Sequence, residues 1–131
     1  MKKVFSVLAL ALCAALVFAA CGGAKLPEGM DQDAVDKAVE QSIRLLDAKD
    51  YAGLMDTMTD EMKAAADEAT WKEVWEPMAE KVGAFQSVEK TSYAVSNGLA
   101  VAVAKAKFEQ GTITFTLSYD ADYTLAGLYL K

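Results

Sequence analysis

The chain has 131 residues, a formal net charge of −6 at pH 7 and a composition that is 53% hydrophobic. This length suits one domain behind an N-terminal segment and is too short for two domains. The acidic balance argues against nucleic acid as a partner, because phosphate binding needs clustered Lys and Arg. Histidine is absent, which removes the commonest metal ligand and the side chain best suited to acid–base catalysis near neutral pH. The sequence therefore predicts no metal, no cofactor and, as the first interpretation, no catalysis.

Residues 1–20 have the order of features of a secretory signal peptide. Lys2 and Lys3 precede the uncharged run Val4–Ala20, which ends on small residues before Cys21. The small-small-Cys-Gly-Gly junction resembles a bacterial lipoprotein signal. That resemblance implies a diacylglycerol on Cys21 and an exported protein, lipid-anchored in the cell envelope on the extracytoplasmic side. Two alternatives stay open: an uncleaved signal anchor, because an uncharged, mostly apolar run of 17 residues can just span a bilayer, or ordinary signal cleavage near Ala19.

Residues 21–30 are interpreted as a lipidated tether and residues 31–131 as one domain. The segment Gly22–Gly29 is polar and contains Gly and Pro, as expected for a flexible spacer. Without Lys2 and Lys3, 11 basic side chains face 19 acidic ones. We therefore expect the acyl chains, rather than attraction to anionic lipid, to hold the protein at the membrane.

Helices are predicted in the first half of the domain. Asp31 or Asp33 can cap a first helix whose apolar positions follow helical spacing. A shorter second helix is predicted from Tyr51 through Met58, followed by a turn capped by Asp60. The apolar positions of the first helix are Val35, Val39, Ile43 and Leu46.

The last predicted helix carries both tryptophans. Thr70-Trp71-Lys72-Glu73 has the pattern of a capping box, which predicts Thr70 as the N-cap. Pro77 lies inside this helix and predicts a kink, because it removes one backbone hydrogen bond. Gly83 is expected to end the helix.

From Phe85 the apolar periodicity changes to two residues, which predicts a four-stranded antiparallel meander. Asn97-Gly98 is the strongest short-range hairpin signal, and turns are also expected at Gln110-Gly111 and Asp120–Asp122. The first predicted strand ends with Thr91–Val95. The other three span Leu99–Phe108, Thr112–Tyr119 and Tyr123–Leu130.

Helices followed by strands predict an α+β domain with N-terminal helices packed on one face of a sheet. The element order resembles a nuclear-transport-factor-2-like (cystatin-like) cone with a curved four-stranded antiparallel sheet. The segments Trp75–Phe85 and Phe115–Tyr129 resemble a small family of bacterial exported domains of unknown function. Its members occur as lone lipoproteins or in front of serine hydrolase domains. The resemblance covers Ala34–Tyr129 and implies a fold rather than a chemistry.

The cone resemblance implies a pocket between sheet and helices. Aromatic and Met side chains would suit a small apolar ligand or a peptide there, although the same side chains could simply fill the core. The candidate pocket residues are Tyr51, Met55, Met58, Trp71, Trp75, Met78, Phe115, Tyr119 and Tyr129.

The second predicted strand carries two different faces. One face holds Leu99, Val101 and Val103, followed by Lys105 and Lys107. If these lysines face water, a row of alanines points inward and the three apolar residues form an outer patch suited to a homodimer. The alternative is that the valines point inward and the strand bulges before Lys105. We favour the first arrangement, because strand interiors pair small residues with large ones.

The predicted function is that of a membrane-anchored extracytoplasmic lipoprotein domain that binds a partner rather than catalysing a reaction. Its partner would be a small apolar ligand, an envelope protein or a second copy. The alternative is an enzyme that uses Asp56 as base with Tyr93 or Tyr119, which requires a carboxylate in an apolar site. Asp120 and Asp122 share one turn, but two carboxylates fall short of the ligands that calcium needs.

Overall fold

The computed structural model describes residues 26–131; the predicted signal peptide and the first half of the tether, including Cys21, lie outside them. Within these residues, four helices precede a four-stranded antiparallel sheet of order β1-β2-β3-β4, which confirms the α+β prediction. The helices are α1 (Gln32–Asp47), α2 (Tyr51–Asp56), α3 (Asp60–Ala65) and α4 (Glu68–Val82). The strands are β1 (Phe85–Ser96), β2 (Leu99–Phe108), β3 (Gly111–Tyr119) and β4 (Leu125–Leu130).

Helix α1 forms as its spacing predicts. The Asp31 carboxylate accepts a hydrogen bond from the Ala34 backbone N–H at 3.1 Å and so caps the first turn. The predicted apolar positions all face the core and are at most 1% exposed. Each such side chain contributes roughly 1.5–3 kcal/mol when it leaves water, so packing of this face holds the helix on the sheet.

The second and third helices differ in detail from the prediction. Helix α2 ends at Asp56, and Met58 instead forms a parallel β-bridge with Leu125. The predicted continuation of the helix through Met58 is therefore wrong. The N-cap of α3 is Thr59, whose hydroxyl accepts from the Met62 N–H at 3.3 Å, so Asp60 is the first helical residue rather than the cap.

Helix α4 begins three residues before the predicted start. Asp67 is its N-cap and accepts from both the backbone N–H and the hydroxyl of Thr70, at 2.9 and 2.8 Å. The capping box predicted at Thr70 is wrong, because the stronger acceptor lies three residues earlier. The helix continues through Pro77 and ends at Gly83, whose φ of 78° suits a residue without a Cβ.

The cap assignment predicts different costs for two neighbouring substitutions. Asp67→Ala should lower the free energy of unfolding by about 1 kcal/mol, because the N–H of Thr70 loses its acceptor. Thr70→Ala should cost less, because Thr70 is already helical and its hydroxyl only donates. Urea unfolding followed by circular dichroism measures both variants, and a larger loss for Thr70→Ala would contradict the assignment.

The sheet turns where the sequence predicts, with one shift in β4. Asn97 and Gly98 have φ values of 53° and 78° and join β1 to β2 as a two-residue hairpin. Strand β4 begins at Leu125 instead of Tyr123, since Tyr123 has a φ of 62° and belongs to the turn. The Asp120 carboxylate accepts backbone N–H groups of Asp122 and Thr124 and fixes this turn.

The two sheet faces follow the arrangement that the sequence favoured. The β2 alanines are 0% exposed and lie under the helices, whereas Lys105 and Lys107 point outward. The alternative, with a bulge before Lys105, is wrong because β2 pairs with β3 without a register shift. Register shifts occur instead in β1, at Phe85/Ser87 and Val88/Lys90, and between β3 and β4, at Ser118/Tyr119. The strand side chains that complete the core include Phe108, Ile113, Phe115, Leu117 and Tyr119.

Candidate functional site

The centre of the predicted pocket is occupied by packed aromatic rings. Trp75 is 0% exposed, with ring centroids 5.8 Å from Phe108 and 6.1 Å from Phe115. Tilted ring pairs at these distances are favourable beyond the burial of area. These residues therefore act as core, which was the alternative interpretation of the aromatic pattern.

Both tryptophans keep a buried polar atom without a partner. The indole Nε1 atoms of Trp71 and Trp75 are inaccessible and make no hydrogen bond within residues 26–131. The two side chains lie one helical turn apart on the buried face of α4. A buried donor without an acceptor costs free energy. These two N–H groups could therefore donate hydrogen bonds to a small molecule bound in the core.

A hydrogen bond from the predicted pocket residue Tyr51 joins α2 to α4. The Tyr51 hydroxyl donates to a Glu76 carboxylate oxygen at 3.0 Å. Burial, and then the neighbouring Glu76 carboxylate, raise the pKa of Tyr51 to about 12. Met58 is buried and Met55 and Met78 are half-buried around the core. These methionines therefore form part of the core or pack against it.

A buried hydroxyl pair joins α1 to the sheet. The Tyr119 and Ser42 hydroxyl oxygens are 3.1 Å apart, and Ser42 also donates to the Ala38 carbonyl at 3.0 Å. Burial raises the pKa of Tyr119, so it stays neutral. The pair satisfies two polar groups inside the core and leaves the Tyr119 hydroxyl committed to Ser42.

The three residues of the enzyme alternative have separate environments. Asp56 is exposed at the end of α2, which does not provide the apolar surroundings that a catalytic carboxylate needs. Tyr93 donates its hydroxyl to Asp36 of α1. Burial, and then Asp36, raise the pKa of Tyr93 to about 12. The structure thus gives Tyr93 and Tyr119 partners other than Asp56.

Asp36 is a polar contact that the sequence analysis missed. It follows the buried Val35 and lies at the edge of the apolar stripe of α1, where helical spacing can direct a side chain towards a neighbouring strand. A shallow depression of about 460 Å³ runs along this side of α1. Its lining residues are Asp36, Lys37, Glu40, Gln41, Arg44 and Leu45.

The face of the sheet opposite the helices, here called the outer face, carries a small apolar cluster. Val101 is 7% exposed and packs with Ala94 and Val103, and Leu99 is half-buried at the end of the strand. Tyr129 pairs with Thr116 in register and so lies on the outer face. The prediction that Tyr129 lines the pocket is therefore wrong, because two-residue alternation turns it away from the core.

One end of the outer face, here called the lysine end, is basic although the chain is acidic. Lys90 and Lys105 are directly opposite in register, and Lys107 lies two residues further along β2. Lys131 exchanges backbone hydrogen bonds with Thr114 in the same row. Within residues 26–131 the structure shows one ion pair, Arg44–Glu40, and it lies on α1. Like charges opposite each other on a sheet are unfavourable, so this end favours an anionic neighbour.

Residues 26–131 contain neither a cluster of metal ligands nor a membrane-spanning helix. No group of three or more potential Asp, Glu, Cys or His metal ligands occurs in this part of the chain. Within the same range, no helix has the length and apolarity needed to cross a bilayer.

Comparison with known proteins places the chain in a family. Residues 39–128 match the model of the family described as "Protein of unknown function (DUF3887)", and the chain belongs to this family. The fold is similar to an NMR structure of a protein from Ruminococcus gnavus ATCC 29149, with a TM-score of 0.69 and 23% identity. That match covers 80% of this chain and 95% of the other. No curated protein matches the chain.

Proposed function

We propose that this protein is an exported lipoprotein, anchored by a lipid on Cys21, whose domain is a non-catalytic interaction module. The outer face of its sheet engages a protein partner. The observation that carries the proposal is the apolar cluster of Ala94, Val101 and Val103 beside a row of lysines, on the face that does not pack on the helices.

The membrane anchor is supported by the sequence. Positive residues, an apolar run and the small-small-Cys-Gly-Gly junction occur in the order of a lipoprotein signal. A short Gly- and Pro-containing tether then leads to Asp31, where α1 is capped. We also infer a nuclear-transport-factor-2-like cone, supported by helices packed on one face of a meander sheet with two irregularities in β1.

The interior supports a protein partner more than a small ligand. Trp75 and Phe115 are fully buried against each other, so the side chains that would line a pocket already fill it. The enzyme alternative has less support, since Asp56 is exposed and both candidate tyrosines bond elsewhere.

A small guest in the core is the second candidate. It is favoured by one observation, the two buried indole N–H groups of Trp71 and Trp75 that lack an acceptor. A guest with a carbonyl or hydroxyl oxygen would satisfy them. In this candidate the aromatic cluster rearranges to admit the guest.

Native mass spectrometry of the full chain, extracted gently from membranes of its own host, tests the proposal. We expect the mass of a complex that contains further polypeptide and that returns to the single chain on denaturation. A small dissociable mass would favour the second candidate. A bare monomer in mild detergent would contradict the interaction proposal.

A further inference from the structure

We propose that the outer face is an isologous interface, on which two copies of this chain stack sheet on sheet with their strands antiparallel. This inference rests on the proposed function and names its partner as a second copy. The two-fold axis lies between the sheets and runs across the strands. In such an interface, if residue i of one copy contacts residue j of the other, then residue j of the first copy contacts residue i of the second.

The axis is placed by the strand register. Ala102 of β2, Leu117 of β3 and Leu128 of β4 form one row across the sheet and point to the core. The outward rows on either side of it are Ser92, Val103, Thr116 and Tyr129, and Ala94, Val101, Ser118 and Gly127. If the axis lies over the core-facing row, the row that contains Val103 lies over the row that contains Val101 of the second copy, and the reverse also holds.

These two rows are complementary in size. Tyr129 has the largest side chain in its row and comes to lie over Gly127 of the second copy, which has none. Val103 comes to lie over Val101 of the second copy, so the apolar clusters meet at the centre. Strand polarity decides this match, because a parallel stack would place Tyr129 at the level of Tyr129 of the second copy.

The same axis brings opposite charges level. Lys105 lies three residues beyond Ala102 in β2, and Asp120 lies three residues beyond Leu117, directly after the end of β3 and in the opposite direction along the sheet. At roughly 3.3 Å per residue, each is about 10 Å from the axis. Lys105 therefore reaches the level of Asp120 of the second copy. Stacked sheets lie about 10 Å apart, a gap that an extended lysine and an aspartate bridge together.

The charges also disfavour the parallel stack. It would place the lysine end of one copy, with Lys90, Lys105 and Lys107, on the lysine end of the other. Within residues 26–131 these lysines have no ion pair that would offset the repulsion. The antiparallel stack instead carries the lysine end towards the Asp120–Asp122 turn.

Chemical cross-linking in membranes tests this arrangement on the full chain. Two differently tagged copies are co-expressed, one with Thr116→Cys and the other with Ser118→Cys, and are treated with a short bismaleimide. A bismaleimide is needed because stacked sheets are too far apart for a disulfide. The matched control carries Thr112→Cys on both copies, and the parent chain without an added cysteine gives the background.

We expect the Thr116/Ser118 pair to form a product that carries both tags and the Thr112 pair to form none. Thr112 lies five residues from the axis row, so the two control thiols would be about 34 Å apart in the antiparallel stack. Lys105→Glu should reduce the product severalfold, whereas Lys72→Glu, the same charge change on α4, should leave it unchanged.

Three outcomes overturn the inference. A Thr112/Thr112 product would show the parallel stack. A Thr116 or Ser118 product with a different polypeptide would overturn the second copy as partner and leave the proposed interaction function standing. Absence of any product from correctly accumulated protein would contradict both.

Discussion

Trp75→Ala should lower the free energy of unfolding by about 3 to 5 kcal/mol, the range for a large aromatic side chain removed from a core. Trp75 is fully buried between Phe108 and Phe115. Its removal leaves a cavity beneath α4 that the neighbouring rings can only partly close. Urea unfolding of the full chain in mild detergent measures the loss.

The matched control for this variant is Val74→Ala, one residue earlier on the same helix. Val74 is 40% exposed, so its truncation should change the free energy of unfolding by no more than about 0.5 kcal/mol. A Trp75→Ala protein as stable as the Val74→Ala protein would contradict the core assignment. It would instead favour a ring that lines a cavity for a guest.

Cys21→Ser should abolish incorporation of labelled palmitate and release the protein from the membrane. The physical reason is that lipidation needs the thiol, and two or more acyl chains hold a protein at a bilayer where attraction to lipid charge does not. Cys13→Ser is the matched control, because it makes the same chemical change inside the predicted signal. It should leave labelling and fractionation unchanged.

Continued membrane association of an unlabelled Cys21→Ser protein would contradict the lipoprotein proposal. That result would favour the uncleaved anchor over Val4–Ala20, which was left open on the basis of its length. Release of both cysteine variants into the soluble fraction would instead show that the loss of anchoring is not specific to Cys21.

Local patterns predicted most of the fold. The Asn97-Gly98 dipeptide located the hairpin because only a few residues accept the two positive φ values. The α1 stripe located the helix because its apolar spacing continues over several turns. The failures occurred where a tertiary contact decides, as at Met58, which leaves the helix to pair with Leu125. The predicted N-cap of α4 was wrong because Asp67 and Thr70 are both residue types that cap helices, and the sequence does not rank them.

The candidate site was predicted less completely than the fold. The alternation of β4 turns Leu128 towards the core and Tyr129 away from it. The prediction put Tyr129 in the pocket only because its side chain is aromatic. Asp36 was missed because its role depends on a tertiary contact: it lies on α1 and accepts a hydrogen bond from Tyr93 of β1. The choice between pocket and core depends on whether the space is filled, and only packing distances such as those around Trp75 answer that question.

Blue-native electrophoresis of gently solubilised membranes tests most directly the claim that the outer face is the working surface. Val103→Glu places a charge in the centre of that face, and Val74→Glu makes the same change at an exposed position on α4. We predict that the unmodified chain and Val74→Glu migrate as one complex larger than a monomer, and that Val103→Glu migrates as a folded monomer. If all three variants migrate alike, the outer face is not the interaction surface and the account is wrong.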